Sequence, residues 1–142
     1  MKIAICATNS QWDELTPCAD TIEWVRITAA QLFIPHPDTD AFFILTDTQA
    51  HRDYALLKKT VFINEVSSTL KDMHASSNVL RFNGWPGFMQ RPVWELAGNI
   101  DEEARRIFDQ MGKKIIPVAD EPGLVAARII LQIILEIGRA HI

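Results

Sequence analysis

Short, nearly unbroken apolar runs recur along this chain, each bounded by polar or turn-forming residues. Residues 3–7 predict a buried first strand and 22–27 a half-exposed second one. Residues 41–45 predict a third, whose continuous apolar run is that of a strand covered on both faces. Residues 61–63, 79–82, 93–96 and 115–118 predict four more. Pro117 has no N–H to give a ladder, so the last strand belongs at an edge or ends there. Between strands the period changes. Residues 51–59 carry Tyr54, Leu57 and Lys58 at helical spacing, which predicts a short helix. Residues 100–111 place Ile100, Ala104, Ile107, Phe108 and Met111 on one helical face. Asn99 stands as N-cap with Glu102 three residues on, and Asp101, Glu102 and Glu103 fill a first turn that favours negative charge. Gly112 stops the helix. Strands alternating with helices imply an α/β fold, a mostly parallel sheet flanked by helices with right-handed connections.

The last segment has a different pattern. Arg128, Gln132, Glu136 and Arg139 are spaced i, i+4, i+8 and i+11 and form one narrow polar stripe. Every other position from Leu124 to Ile137 is apolar. A long apolar helix of this kind must be covered on more than one side. A second copy of the chain is the expected cover, giving a homodimer through residues 124–139. The polar residues interrupt the segment too often for a span of about 20 apolar residues, so no membrane is expected as partner.

Composition bounds the rest. The chain has 142 residues, 48% hydrophobic and 23% charged, with seven prolines and six glycines, and reads as one ordinary folded domain over residues 1–142. Fourteen basic against eighteen acidic side chains give a net charge of −4, which argues against nucleic acid and anionic membranes. Cys6 and Cys18 make neither a disulfide framework nor a metal spacing and read as reduced thiols of a cytoplasmic protein. The N-terminus has no signal-peptide pattern. No metal site is expected.

In this fold class a dinucleotide is sought at the turn after the first strand. A diphosphate needs glycines for close backbone approach and open N–H groups at a helix N-terminus. The turn reads Ala7-Thr8-Asn9-Ser10-Gln11-Trp12-Asp13-Glu14-Leu15, without glycine. Ser10 is placed to cap the following helix, with Asp13 and Glu14 in its first turn, where their charge would repel phosphate. Pro17 limits that helix to a turn or two. Thr28, Ala29 and Ala30 follow the second strand, so no carboxylate is placed for a ribose hydroxyl. These residues imply no cofactor-binding set and no NAD in the usual mode.

From Leu57 onward four stretches occur in a telling order. They are Val61-Phe62-Ile63-Asn64-Glu65-Val66-Ser67-Ser68-Thr69-Leu70, Arg81-Phe82-Asn83-Gly84-Trp85-Pro86-Gly87-Phe88, and Arg91-Pro92-Val93-Trp94-Glu95-Leu96-Ala97-Gly98. The fourth runs from Gly112-Lys113-Lys114 through an apolar strand to Asp120-Glu121-Pro122-Gly123 and an apolar helix carrying Arg128. Together they resemble the 3-hydroxyacyl-CoA dehydrogenase family, and more narrowly its reduced Rossmann-fold 3-hydroxybutyryl-CoA dehydrogenase-like domains. In the full-length family the last helix leads into a helical domain that covers it, and this chain stops at Ile142.

The resemblance implies NAD-linked oxidation or reduction of a 3-hydroxyacyl thioester. A His takes the proton, a Glu orients that His, and a Ser and an Asn assist at the substrate oxygen. Carried over one by one, Glu95 stands at the Glu position and Ser67 or Ser68 in the serine segment. Trp85 or Asn83 stands where the His belongs, and Ala127 where the Asn belongs. An indole has a donor but no basic site near neutral pH. His36, His51, His74 and His141 sit on loops, a helix start or the tail, and none is paired with Glu95 by spacing. The candidate catalytic residues are therefore Glu95, Ser67 and Ser68. Each has a plainer reading: Glu95 as a strand-end carboxylate accepting backbone N–H groups, the serines with Thr69 as a helix cap. The expectation is a degenerate, non-catalytic homodimer of this family with a possible acyl-CoA ligand. The alternatives are an active NAD-dependent oxidoreductase completed by a partner chain, and a protein-interaction module in acyl-CoA metabolism.

Overall fold

The computed structural model describes residues 1–46, 48 and 53–140. Among these, seven strands form one sheet: β1 (Lys2–Cys6), β2 (Glu23–Arg26), β3 (Ala41–Ile44), β4 (Thr60–Asn64), β5 (Val79–Phe82), β6 (Val93–Ala97) and β7 (Lys114–Pro117). Their order across the sheet is β2-β1-β3-β4-β5-β6-β7. Every pair is parallel except β5 with β6, where Arg81 faces Ala97 and Phe82 faces Leu96. The reversal follows from the connection. Residues 83–92 form turns rather than the crossover helix a parallel return requires. One of those turns is closed by Phe88 N–H on Trp85 O (2.9 Å), with Gly87 at φ +87°, the turn chemistry that Pro86-Gly87 implies. β7 is an edge strand and Pro117 ends it, as its missing N–H demands.

The two faces of the sheet are covered differently. On one, helices α1 (Asn9–Leu15) and α2 (Glu102–Met111) bury Leu15, Ala104, Ile107, Phe108 and Met111 against Ile3, Ile5, Phe43, Phe62, Leu80 and Leu96. Aromatic rings knit this side together: Phe43 stacks on Phe62 (centroids 4.7 Å), Phe82 on Trp94 (5.0 Å), and Phe108 meets both Phe62 and Trp94 edge-on. On the other, Ala4, Cys6, Phe42, Ile44, Val61 and Ile63 lie under Ile27, Leu32, Tyr54 and Met73, which short turns supply. Tyr54 belongs to a 3-10 turn, Tyr54–Leu57, in place of the expected helix; residues 51 and 52 of that expectation lie outside the described residues. Burial pushes the Tyr54 hydroxyl up to about 12, with Cys6 and Glu65 adding to the shift.

Both helix starts differ from the sequence expectation. α1 is capped by Thr8, not Ser10, and Thr8 with Gln11 forms the full capping box. Asp13 and Glu14 therefore fall beyond the first turn. α2 is capped by Asp101, whose Oδ1 accepts the Ala104 N–H (2.9 Å), not by Asn99. Its end is as expected, with Gly112 at φ +70° accommodating the left-handed cap. Helix α3 (Ala126–Ala140) follows two successive left-handed residues, Gly123 (φ +81°) and Leu124 (φ +52°). Only its root is buried, at Leu124 and Ala127, and its apolar side chains beyond that are exposed. Among the described residues no helix is long and apolar enough to cross a membrane.

Candidate functional site

Open α/β sheets hold ligands beyond the carboxyl ends of their parallel strands. At the end of β1, Gln11 N–H donates to Thr8 Oγ1 (3.3 Å) and Thr8 N–H to Gln11 Oε1 (2.9 Å). Gln11 Nε2 donates to Leu45 O, just past β3 (3.0 Å). Arg26, the last residue of β2, reaches across the same turn. Its Nη1 donates to Asn9 Oδ1 (2.7 Å) and its Nη2 to Ala7 O (2.9 Å), with the guanidinium 6.0 Å from the Trp12 ring centroid. A diphosphate needs bare backbone N–H groups here. Those of Thr8 and Gln11 are engaged by side chains, and no glycine opens an approach. The turn does not fit a dinucleotide diphosphate in the usual mode. The cause is this capping geometry rather than repulsion from Asp13 and Glu14.

A buried ionic anchor stands at the other side of the sheet. Arg81 on β5 is fully buried. Its Nε donates to Asp120 Oδ1 (2.7 Å), its Nη1 to the carbonyls of Glu65 (3.0 Å) and Val66 (3.2 Å), and its Nη2 to Glu121 O. Asp120 also accepts the N–H groups of Leu70 (3.0 Å) and Lys71 (3.3 Å). Desolvation pushes the Asp120 carboxyl upward, but the hydrogen bonds from Leu70, Arg81 and Lys71 outweigh it and hold the group below its ordinary range. Gly123 N–H donates to Val66 O (2.7 Å), so the loop after β4 and the segment leading into α3 are fastened together. Sequence reasoning missed Arg81: its carboxylate lies 39 residues further on, and no spacing links them.

Ser67 and Ser68 lie on that loop. Ser67 is exposed and Ser68 half-buried, with Ser68 N–H donating to Glu65 Oε1 (3.1 Å). Thr69 Oγ1 accepts the Asp72 N–H (3.0 Å), so the cap closes a turn rather than a helix.

Glu95 projects from β6 on the face opposite Trp94 and Leu96. Its Oε1 accepts the Ala126 N–H (2.8 Å) and its Oε2 the Val125 N–H (3.2 Å), holding the first turn of α3. Beside it lies a cleft of about 30 Å³ bordered by Asn83, Phe88, Arg91, Val93, Glu95 and Ala126. Asn83 is only 7% exposed. Its Oδ1 accepts the Trp85 N–H (3.0 Å), while its Nδ2 is buried without a partner. The turn carrying Asn83 is held by Gly84 N–H on Asn64 Oδ1 (2.8 Å), and a Cβ at Gly84 would fall 2.7 Å from Asn64 Cγ. An unpaired buried amide donor is costly. Asn83 thus borders a cleft whose volume suits one water or one carbonyl oxygen, with its own Nδ2 buried.

The structure brings Glu95 and Asn83 together at this cleft. Ser67 and Ser68 stay on the loop after β4, and among the described residues Glu95 accepts from Val125 and Ala126 rather than bonding to either serine. Trp85 packs edge-on against Phe88 (5.9 Å), and Ala127 is buried at the root of α3. His36 is half-buried, its Nε2 2.9 Å from Gln31 O, and His74 is exposed in a turn. His51 and His141 lie outside the described residues. Among the described residues no group of His, Cys, Asp and Glu could hold a metal ion.

No protein-family model matches the chain. No curated protein sequence matches it either. Solved structures do. A 3-hydroxyacyl-CoA dehydrogenase from Archaeoglobus fulgidus superposes with a TM-score of 0.66 at 11% identity over 99% of this chain and 63% of that one. The (S)-3-hydroxybutyryl-CoA dehydrogenase of Ralstonia eutropha gives 0.63 at 14% identity, over 99% of this chain and 72% of its own. An NAD+-dependent 5-formyl-3-hydroxy-2-methylpyridine 4-carboxylic acid 5-dehydrogenase gives 0.64 at 13% identity, over 95% and 63%. The chain thus spans less than two thirds of the length of the first and last of these enzymes, and its fold is the Rossmann-like fold of 3-hydroxyacyl-CoA and 3-hydroxybutyryl-CoA dehydrogenases.

Proposed function

We propose that this chain is a 3-hydroxybutyryl-CoA dehydrogenase-like protein, one domain over residues 1–142, that has lost hydride chemistry and keeps a ligand cleft. In this reading it is cytoplasmic and works as a homodimer through residues 124–139. The observation that carries it is the state of Glu95. Both its oxygens hold backbone N–H groups at the start of α3, those of Val125 and Ala126, and its neighbour at the cleft is the Asn83 amide, with the Trp85 indole two residues on. Neither of those groups takes up a proton near neutral pH. The capped turn after β1 supports the same reading, because it gives NAD no usual cradle.

The unpaired Asn83 donor supports a ligand that presents an acceptor oxygen. The thioester carbonyl of a short-chain acyl-CoA is the one the family resemblance suggests. The exposed α3 supports a second reading, in which a partner chain completes an active NAD-dependent oxidoreductase and Glu95, Ser67 and Ser68 take catalytic roles. A protein-interaction module without ligand is the third.

Thermal unfolding with NADH and with acetoacetyl-CoA separates them, since a ligand at 100 times its Kd adds about 2.7 kcal/mol. A shift with the thioester and none with the nucleotide is expected. Turnover of NADH by the purified chain overturns the non-catalytic reading, and no shift with either compound leaves the interaction module.

A further inference from the structure

Helix α3 leaves the sheet with seven isoleucines and leucines each a third or more exposed, from Ile130 at 36% to Leu135 at 61%. At 3.6 residues per turn its polar stripe covers about 80° of the circumference and leaves about 280° apolar. These side chains present on the order of 700 Å² of apolar surface, more than a monomer ordinarily leaves open and close to the ~800 Å² per partner of a stable interface.

A second uncovered surface lies at the root of the helix. Val93 (36% exposed) and Ile116 (50% exposed) project from the sheet face that carries Glu95, Ile116 being the register partner of Glu95 on β7. Val93 and Ala126 border the same cleft, so the sheet face runs on into the helix.

The chemistry of the patch selects its occupant. The apolar arc of α3 holds neither an aromatic nor a charged residue. The ions beside it pair within the chain, Arg128 with Glu121 and Arg139 with Glu136. Interfaces between different proteins carry Tyr, Trp and Arg anchors, and helices that lie on membranes carry a polar face rich in Lys and Arg. An aliphatic patch of this extent resembles a domain core cut in half, the character of a permanent homodimer. Orientation follows from the second surface. Parallel helices would cover each other and leave Val93 and Ile116 open, whereas antiparallel helices carry the Ile137 end of each onto the other's root.

We propose that two copies pair through antiparallel α3 helices about a two-fold axis near mid-helix, each helix end seated on Val93 and Ile116 of the other copy. This deepens the dimeric reading above and rests on it.

Sedimentation equilibrium of the 142-residue chain at micromolar concentration is expected to give twice the chain mass. Ile134→Glu, in the middle of the apolar arc, is expected to give a monomer that keeps the near-ultraviolet spectrum of its aromatic core. Val93→Cys combined with Ile137→Cys is expected to crosslink two chains under mild oxidation, and Ile137→Cys alone is not. A monomer at high micromolar concentration overturns the proposal, as does a dimer that survives Ile134→Glu. Self-crosslinking of Ile137→Cys overturns the antiparallel arrangement, and a monomer that binds phosphatidylcholine vesicles assigns the face to lipid instead. The thioester titration keeps the two readings apart: a dimer without a thioester shift sinks only the ligand, and a monomer with one sinks only the pairing.

Discussion

Helices α2 and α3 are both amphipathic in sequence, yet only one has a place in the core. α2 turns Ala104, Ile107, Phe108 and Met111 onto the sheet, each no more than 1% exposed. α3 is the more apolar of the two and buries only its root. The difference lies in what each helix meets. α2 returns over strands whose inward residues are Phe62, Leu80, Phe82, Trp94 and Leu96, whereas α3 departs from the sheet at the β6–β7 edge. Hydrophobic periodicity tells how much cover a helix needs. It does not tell whether the cover comes from the same molecule.

The sharpest way to break this contrast is to truncate one side chain in each helix. Phe108→Ala removes a ring packed on Phe62 and Trp94 and is expected to cost about 3–5 kcal/mol in urea denaturation. Ile134→Ala, measured at protein concentrations low enough to keep the chain monomeric, is expected to stay within about 0.5 kcal/mol. A smaller effect tests the anchor that holds the root of α3. Asp120→Ala removes a charged acceptor from Leu70, Lys71 and Arg81 and is expected to cost about 2 kcal/mol at neutral pH. Because the folded state lowers the Asp120 carboxyl below its ordinary 3.8, this contribution is present above that value and fades as pH falls through the lowered one. The gap between wild type and Asp120→Ala should therefore close in acid, measured by denaturation from pH 7 downward. The smallest effect separates two candidate caps of α2. Asp101→Ala should cost about 1 kcal/mol, and Asn99→Ala should be close to neutral.

β1, β3, β4 and β5 were legible because a strand buried on both faces leaves an apolar run that little else produces. The more exposed β2 and β7 were legible from a half-exposed alternation and from a short run ended by Pro117. Pro117 at the sheet edge and Gly112 at the end of α2 were legible for the same kind of reason, since each residue restricts the backbone in one way. The caps slipped by two residues. Thr8 and Ser10, or Asn99 and Asp101, offer the same chemistry within one turn, and the choice between them is made by tertiary packing. Glu95 was read both as a catalytic residue and as an acceptor of backbone N–H groups, and the structure shows which N–H groups it accepts. The unpaired amide of Asn83 and the buried Arg81 were not legible. Both depend on neighbours that the sheet supplies from distant sequence.

Gly123 and Leu124 carry a consequence of their own. Left-handed backbone at a leucine costs about 1–2 kcal/mol, and here it is locked by burial of that side chain and by the Gly123 N–H on Val66. The bearing of α3 is thus fixed at its pivot, before anything touches the rest of the helix. A docking partner therefore meets a helix whose direction of departure from the sheet is set by two residues, Gly123 and Leu124.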